Sequence, residues 1–113
     1  MHEFSIARNI LEIIEREMKL KNFTKLNRVQ LKIGDLTAVN DDALIFCFDA
    51  LVSDGPFKGA RLEIEKIPVR GKCTACGWEF QVENFAFICP GCGGNTIETL
   101  SGDELEIAYL EVD

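Results

Sequence analysis

The sequence predicts an α+β fold: two helices that cover a three-stranded sheet, with a small cysteine-rich module inserted before the last strand. Three observations predict it. Apolar residues recur at three- and four-residue steps in two segments, as in amphipathic helices, and alternate with polar residues in three others, as in half-buried strands. Between the second and third alternating segments, four cysteines form two Cys-x-x-Cys pairs.

The first helix is predicted over residues 6–18. Its apolar face consists of Ile6, Ala7, Ile10, Leu11, Ile14 and Met18. On the polar face, Glu15 and Lys19 form an i,i+4 pair with the acid first, which is the more favourable order. Asn22 is the predicted end of the helix.

The first strand is predicted over residues 26–33, with Val29, Leu31 and Ile33 on one face and a turn at Gly34-Asp35. A second helix is predicted after a polar cluster at residues 40–42, because Asn and Asp are common helix caps. Its apolar stripe consists of Leu44, Cys47, Phe48 and Leu51. The fifth cysteine, within this stripe, is therefore predicted to be a buried small hydrophobe.

The other two strands of the sheet flank the cysteine-rich segment. A turn-rich stretch over residues 53–59 leads into the second strand, around Leu62 and Ile64. The final strand begins at Leu105, and its alternation slips near Ala108, as a β-bulge would cause. The predicted domains are a discontinuous α/β domain, residues 1–69 and 101–113, and a ribbon domain, residues 70–100.

The strongest candidate site consists of four cysteines: Cys73, Cys76, Cys89 and Cys92. Two cysteines three positions apart can aim both sulfurs at one centre, and two such pairs supply the tetrahedral thiolate set that Zn²⁺ favours in structural sites. Gly77 and Gly93 directly follow the pairs, where the chain turns sharply and only Gly adopts a positive φ without steric cost. The pattern predicts a closed structural zinc site.

Other uses of the cysteines are weaker. A disulfide scaffold needs an oxidising compartment, and a redox dithiol needs one Cys-x-x-Cys pair rather than two. A rubredoxin-like iron site is a further alternative, although the twelve-residue gap between the pairs is short for that fold. A module of this size cannot fold by burial alone, so metal ligation is expected to supply much of its folding free energy. Its large apolar side chains are predicted to pack around the metal-bound loops: Trp78, Phe80, Val82, Phe85, Phe87 and Ile88.

Composition bounds the classes of function. With 113 residues, 47% apolar and 27% charged, the chain fits a soluble globular domain carrying a small module. No apolar run approaches the ~20 residues that a membrane helix needs, and the N-terminus lacks signal-peptide features. We therefore expect a cytoplasmic protein without a membrane partner. The net charge of −7 opposes nucleic-acid binding, which normally depends on basic surface.

A second candidate metal site lies at the N-terminus, where His2 is the chain's one histidine. A histidine there can chelate a metal through the terminal amine of Met1, its own backbone nitrogen and its imidazole, leaving a fourth position for Glu3 or another group. Such nitrogen-rich tetragonal coordination suits Ni²⁺ or Cu²⁺. Taken alone, a histidine at position 2 is weak evidence, because an incidental terminal histidine is the more common case, and the Glu3 carboxylate would also favour the positive end of the first helix.

Several motifs occur together along the chain. They are Met1-His2-Glu3, Leu31-Lys32-Ile33-Gly34-Asp35-Leu36, Val39-Asn40, Phe46-Cys47-Phe48-Asp49, Cys73-Thr74-Ala75-Cys76-Gly77, Cys89-Pro90-Gly91-Cys92-Gly93 and Gly102-Asp103-Glu104-Leu105. In this order and over nearly the whole length, the sequence resembles the HypA/HybF family of hydrogenase nickel incorporation proteins.

The resemblance implies a non-catalytic nickel metallochaperone with a nickel-binding domain and a zinc ribbon. It implies that Ni(II) is transient cargo at Met1, His2 and Glu3, and that Zn(II) is structural. The implied partners are a nickel-binding maturation GTPase of the HypB type and the precursor of the [NiFe]-hydrogenase large subunit, with urease accessory proteins as further candidates. Some members of the family add a carboxylate ligand from the start of the second helix. Here that region reads Asn40-Asp41-Asp42, so the identity of the fourth nickel ligand stays open.

The main alternative is a zinc ribbon that binds nucleic acid or serves as a protein-interaction module. Within residues 70–100, two basic residues face three acidic ones, a net −1 before four thiolates and one Zn²⁺ add a further −2. That charge repels phosphate. Catalysis is disfavoured, because the one imidazole lies at a chain end and no nucleophile–base pair can be assigned.

Overall fold

The computed structural model describes residues 2–113, and Met1 lies outside the described residues. Within them the elements are α1 (Glu3–Leu20), β1 (Leu26–Gly34), a 3-10 turn (Asp35–Thr37), α2 (Asp41–Val52), β2 (Arg61–Ile67), β3 (Arg70–Cys73), β4 (Glu79–Gln81), β5 (Ile97–Ser101) and β6 (Leu105–Val112). The strands form two three-stranded sheets, with orders β2-β1-β6 and β4-β3-β5. The predicted α+β class, with two helices and a three-stranded sheet, is confirmed.

The described chain divides into two compact units. The helical unit comprises the described residues up to Lys32, together with Ala38–Glu65 and Glu106–Asp113. The ribbon unit comprises Ile33–Thr37 and Lys66–Leu105. The domain boundaries expected from the sequence, at residues 69/70 and 100/101, stay a prediction.

Helix α1 follows its apolar periodicity, and its buried residues are Ala7, Ile10, Ile14 and Met18. The helix begins at Glu3, earlier than predicted, because its first turn carries no apolar pattern. It ends as expected near Asn22, which has a φ of 60°. The amide of Phe23 donates to the carbonyl of Met18 at 3.0 Å, which is the bond of a Schellman cap that spans five residues. The cap satisfies carbonyl groups at the end of the helix.

Helix α2 begins at a capping side chain, because Asn40 Oδ1 accepts a hydrogen bond from the amide of Ala43 at 2.9 Å. Its buried residues, which form one line along the helix, are Leu44, Phe48 and Val52. The prediction that Cys47 is buried is wrong: the side chain is half-buried, at the border of that line.

The sheet of the helical unit supplies the opposite wall of the core. Lys25 and Asp113 exchange backbone hydrogen bonds of 3.2 and 2.9 Å, a reciprocal pairing that makes β1 and β6 antiparallel there. In β6, Ile107, Leu110 and Val112 are the half-buried apolar residues, so the alternation changes phase between the first two, as the predicted slip near Ala108 requires. Buried residues of this unit's strands and loops include Leu26, Val29, Leu31, Val39, Ala60 and Leu62.

The sheet of the ribbon unit is antiparallel, with β3 in the centre. Strand β3 ends at Cys73, so the first cysteine loop begins where this central strand ends. Three of the large apolar side chains predicted to pack around these loops are mostly exposed, although Trp78 lies beside Gly91 of the second loop. Trp78, Phe85 and Ile88 are 56%, 63% and 59% exposed, whereas Val82 is buried. A unit of this size has too little interior to enclose them all.

Neither helix of residues 2–113 is long and apolar enough to cross a membrane.

Candidate metal centre

The two cysteine loops have the same backbone design. In the first, the amide of Cys73 donates to the carbonyl of Trp78 at 2.8 Å, and the amide of Gly77 donates back to Cys73 at 2.7 Å. The second loop repeats both bonds, with Cys89 paired to Gly94 at 2.8 Å and to Gly93 at 2.9 Å. The glycine that follows each pair has a positive φ, +80° at residue 77 and +75° at residue 93, as the sequence predicts.

These loops bring the four sulfurs together. All four Sγ atoms lie within 4.8 Å of one another, and all five cysteines of the chain are free thiols. Cys73 and Cys92 are 3.6 Å apart, and Cys76 and Cys89 are 3.5 Å apart. A tetrahedral site with Zn–S bonds of about 2.3 Å has sulfurs about 3.8 Å apart, so the donor set and its dimensions fit a four-coordinate zinc ion.

The four thiols fall into two classes by the direction of their pKa shifts. The pKa of Cys89 is lowered to about 7, chiefly because the amide of Cys92 donates to its sulfur, at 3.5 Å. The pKa of Cys73 is also lowered, chiefly by the amide of Cys76. The first cysteine of each pair, which is buried, therefore favours the thiolate that a metal requires.

The second cysteine of each pair is exposed and keeps its proton more strongly. At Cys76 the amide of Trp78 is the largest single influence and favours the thiolate. The hydrogen bond shared with Cys89, desolvation and the sulfurs of Cys73 and Cys92 together oppose it and raise the pKa to about 12. The pKa of Cys92 is raised in the same way, with Gly94 favouring the thiolate and the sulfur of Cys73 opposing it.

The other predicted site residues lie at the start of α1 in the helical unit. Met1 falls outside the described residues. His2 is exposed at the N-cap position, with φ −86° and ψ 101°, and its side chain makes no capping hydrogen bond to the helix. Glu3 is half-buried in the first turn. The imidazole is accessible and is not used to hold the helix end.

One contact at this end was not predicted from the sequence. Glu3 Oε2 accepts a hydrogen bond from the backbone amide of Asn40 at 3.4 Å, so the start of α1 adjoins the start of α2. The two residues are 37 positions apart, and no local pattern connects them. The polar cluster at residues 40–42 was the available signal: it indicated a helix cap, and the family resemblance left open whether this region supplies the fourth nickel ligand.

The fold and the thiolate cluster define a small α+β protein with a site built for a metal ion. A family model described as "Hydrogenase/urease nickel incorporation, metallochaperone, hypA" matches residues 1–112. The chain belongs to this HypA family, as the resemblance in the sequence indicated.

Related proteins are similar to this chain over their full lengths. The hydrogenase maturation factor HypA of Geobacter metallireducens is 44% identical over 113 residues, and that of Rhodopseudomonas palustris is 41% identical, with all of each chain covered. The solution structure of the Ni metallochaperone HypA from Helicobacter pylori is similar with a TM-score of 0.70 at 24% identity, covering 99% of this chain and 97% of that one. A second solution structure of a HypA protein has a TM-score of 0.74, also at 24% identity, with 99% and 96% covered. Both structures support the fold.

Proposed function

We propose that this protein is a nickel metallochaperone of hydrogenase maturation that binds Ni(II) at its N-terminus. It then delivers the ion, together with a GTPase of the HypB type, to the precursor of the [NiFe]-hydrogenase large subunit. The observation that carries the proposal is the match of a nickel-incorporation family model to residues 1–112. The protein acts by binding and handing over a metal rather than by catalysing a reaction, and it works in the cytoplasm.

The nickel ligands in this proposal are His2, Glu3 and the amine of Met1. The exposure of His2 supports it, because the ring can approach a metal without leaving a buried position. Imidazole, amine and backbone nitrogen are ligands that suit Ni²⁺ in a tetragonal arrangement. A carboxylate oxygen of Glu3 would complete or flank this set.

The contact between Glu3 and Asn40 links this site to α2. A half-buried carboxylate that accepts a bond from the backbone of the α2 cap has fewer orientations open to it than a fully solvated one. Nickel binding at Glu3 would therefore change the hydrogen bonding at the first turn of α2. This turn also carries Asp41 and Asp42, which add negative charge beside a divalent cation.

The four cysteines have a different role in this proposal, that of a resident Zn(II) site. When bound, zinc would supply folding free energy to the ribbon unit and hold the two loops together. Cys73 and Cys89 are buried, so exchange of these ligands with an acceptor is obstructed. The open N-terminal ligands can instead be surrendered one at a time.

In this proposal the GTPase docks on α2 and the N-terminal region. Phe46 on α2 is 74% exposed and Phe4 on α1 is 50% exposed, which is costly for an isolated chain and useful at an interface. Partner binding beside the nickel ligands would allow direct transfer. The family description also includes urease, so urease accessory proteins are further candidate partners.

Calorimetric titration of the zinc-loaded protein with Ni²⁺ tests the nickel site. We expect one binding event in the parent protein and its loss in two variants: His2→Gln, and a version extended at the N-terminus so that the Met1 amine is blocked. Cys47→Ala is a matched control, because it removes a potential metal ligand that is not among the proposed nickel ligands. Unchanged nickel binding and transfer in His2→Gln would refute the proposal.

A further inference from the structure

The turn at residues 83–86 of the ribbon unit contains one residue that is unfavourable for its conformation, Phe85. The amide of Ala86 donates to the carbonyl of Glu83 at 3.0 Å, and the two central residues, Asn84 and Phe85, have φ values of 53° and 57°. Positive φ at both central positions is the mark of a type I′ turn, for which Asn-Gly is preferred. Asn tolerates this region, but a bulky aromatic residue there is an outlier.

The side chain of Phe85 is unfavourable as well as its backbone, because 63% of this apolar side chain is exposed to water. A glycine would relieve the backbone and remove an apolar surface from water. Strained residues that persist without benefit to folding occur mainly at functional sites. The position therefore indicates a role for the aromatic ring outside the fold.

The ring forms one wall of a cavity of about 270 Å³. The residues that line it are Asp35, Val69, Val82, Asn84 and Phe85. Val69 and Val82 are buried and form an apolar floor. The cavity lies just below the range of about 300–1,000 Å³ typical of small-molecule sites, and its size suits one long side chain.

The polar wall of the cavity carries negative charge. Asp35 is paired with Lys66 at 3.6 Å, and both side chains are about half exposed, so this pair is weak. An ionised carboxylate has about four lone-pair positions and can accept donors from a second cation. The chain as a whole carries a net charge of −7, which attracts a cationic partner.

We propose that this cavity binds an arginine side chain of a partner polypeptide. The aliphatic part of the arginine would lie on Val69 and Val82, and its guanidinium would reach Asp35 while stacking on the ring of Phe85. Arginine fits better than lysine, because its planar guanidinium both stacks on aromatic faces and forms two parallel bonds to a carboxylate. The proposal concerns the ribbon unit alone and does not depend on the nickel ligands.

Titration of the zinc-loaded, ¹⁵N-labelled protein by NMR tests the binding step. The probes are N-acetylarginine methylamide, its uncharged isostere N-acetylcitrulline methylamide, N-acetyllysine methylamide and free arginine. We expect saturable shifts at the amides of Asn84, Phe85 and Val69 with the capped arginine, with a Kd on the order of 10 mM for a single side chain. Citrulline should produce none, and lysine should bind more weakly. Absence of saturable shifts, equal binding of citrulline, or preference for free arginine would each overturn the proposal.

Substitutions separate the site from general charge effects. Asp35→Asn should weaken binding of the capped arginine about fivefold, whereas Glu98→Gln, which removes one exposed charge elsewhere in the ribbon unit, should change it less than about twofold. Equal losses in the two variants would indicate non-specific attraction and would contradict a defined site.

Replacement of the aromatic residue separates binding from folding. Phe85→Gly should weaken binding of the capped arginine and at the same time raise the unfolding temperature by roughly 2–4 °C, since the strained backbone is relieved. Ile88→Ala removes an exposed apolar side chain that does not line the cavity, so the probe should bind it like the parent. A fall in unfolding temperature in Phe85→Gly would show that the ring serves the fold, and the inference would fail.

Discussion

Gly34 lies against Gly102 with no room for a side chain between them. A Cβ on Gly34 would overlap the carbonyl of Gly102 and stand 2.6 Å from the amide nitrogen of Asp103. The contact is fastened by the amide of Leu36, which donates to the Gly102 carbonyl at 2.8 Å. The end of β1 and the segment before β6 therefore meet backbone to backbone within the ribbon unit.

Gly34→Ala should destabilise the protein by about 2 kcal/mol or more, because backbone atoms must move to admit the methyl group. Chemical denaturation of the zinc-loaded protein measures this. The control is Gly91→Ala, where an added Cβ would stand 3.6 Å from the ring of Trp78, an ordinary contact. Equal stability of the two variants would show that the close approach of Gly34 and Gly102 is not required.

Cys76→Ala should abolish zinc binding at the cysteine cluster and unfold the ribbon unit, because three thiolates leave a four-coordinate site open and metal ligation is expected to supply much of the unit's folding free energy. Metal content after purification and the fluorescence of Trp78, the chain's one tryptophan, report the two effects. Cys47→Ala is the matched control, since its sulfur is not part of the cluster. One tightly bound zinc and parental heat stability in Cys76→Ala would contradict the assignment.

Zinc binding should release protons, and their number should depend on pH. At about pH 8 Cys89 is largely a thiolate, since its pKa is about 7, whereas Cys76, with a pKa of about 12, must lose a proton to bind. Below pH 7 Cys89 must lose one as well, so more protons leave and the apparent zinc affinity falls. Calorimetry in buffers of different ionisation enthalpy counts the protons. A count of zero at pH 8, or one that does not rise towards pH 6, would disprove the division of the thiols.

Much of the fold was predictable wherever one face of an element is buried. The apolar face of α1 and the alternation of β1 report burial directly, and both were confirmed. In the ribbon unit the same reasoning failed, because large apolar residues normally indicate a core. Trp78, Phe85 and Ile88 remain exposed in a unit with little interior, and β5 was not predicted, because it has no fully buried residue.

The candidate sites differ in the same way. The cysteine cluster was predictable because its ligands are paired locally and the loop geometry follows from the spacing and the glycines. The contact of Glu3 with Asn40 was not, because it depends on how α1 and α2 pack. The strain at Phe85 was also hidden, since only the φ values reveal that an aromatic residue occupies a position suited to glycine.

The side chain of Asn40 should stabilise the start of α2, while its backbone amide donates to Glu3 and its carbonyl accepts from Leu44. Asn40→Ala removes the bond from Ala43 to Oδ1 and should lower the free energy of unfolding by about 1 kcal/mol, as loss of an N-cap typically does. Asn40→Asp retains a capping oxygen and should match the parent, because Asp and Asn cap equally well. Both variants keep the amide that Glu3 accepts from, so the contact between the two helix starts should persist in each. Thermal and chemical denaturation measure the stabilities. If Asn40→Asp lost as much free energy of unfolding as Asn40→Ala, the side-chain NH₂ group of Asn40, rather than its capping oxygen, would be what stabilises this end of the helix.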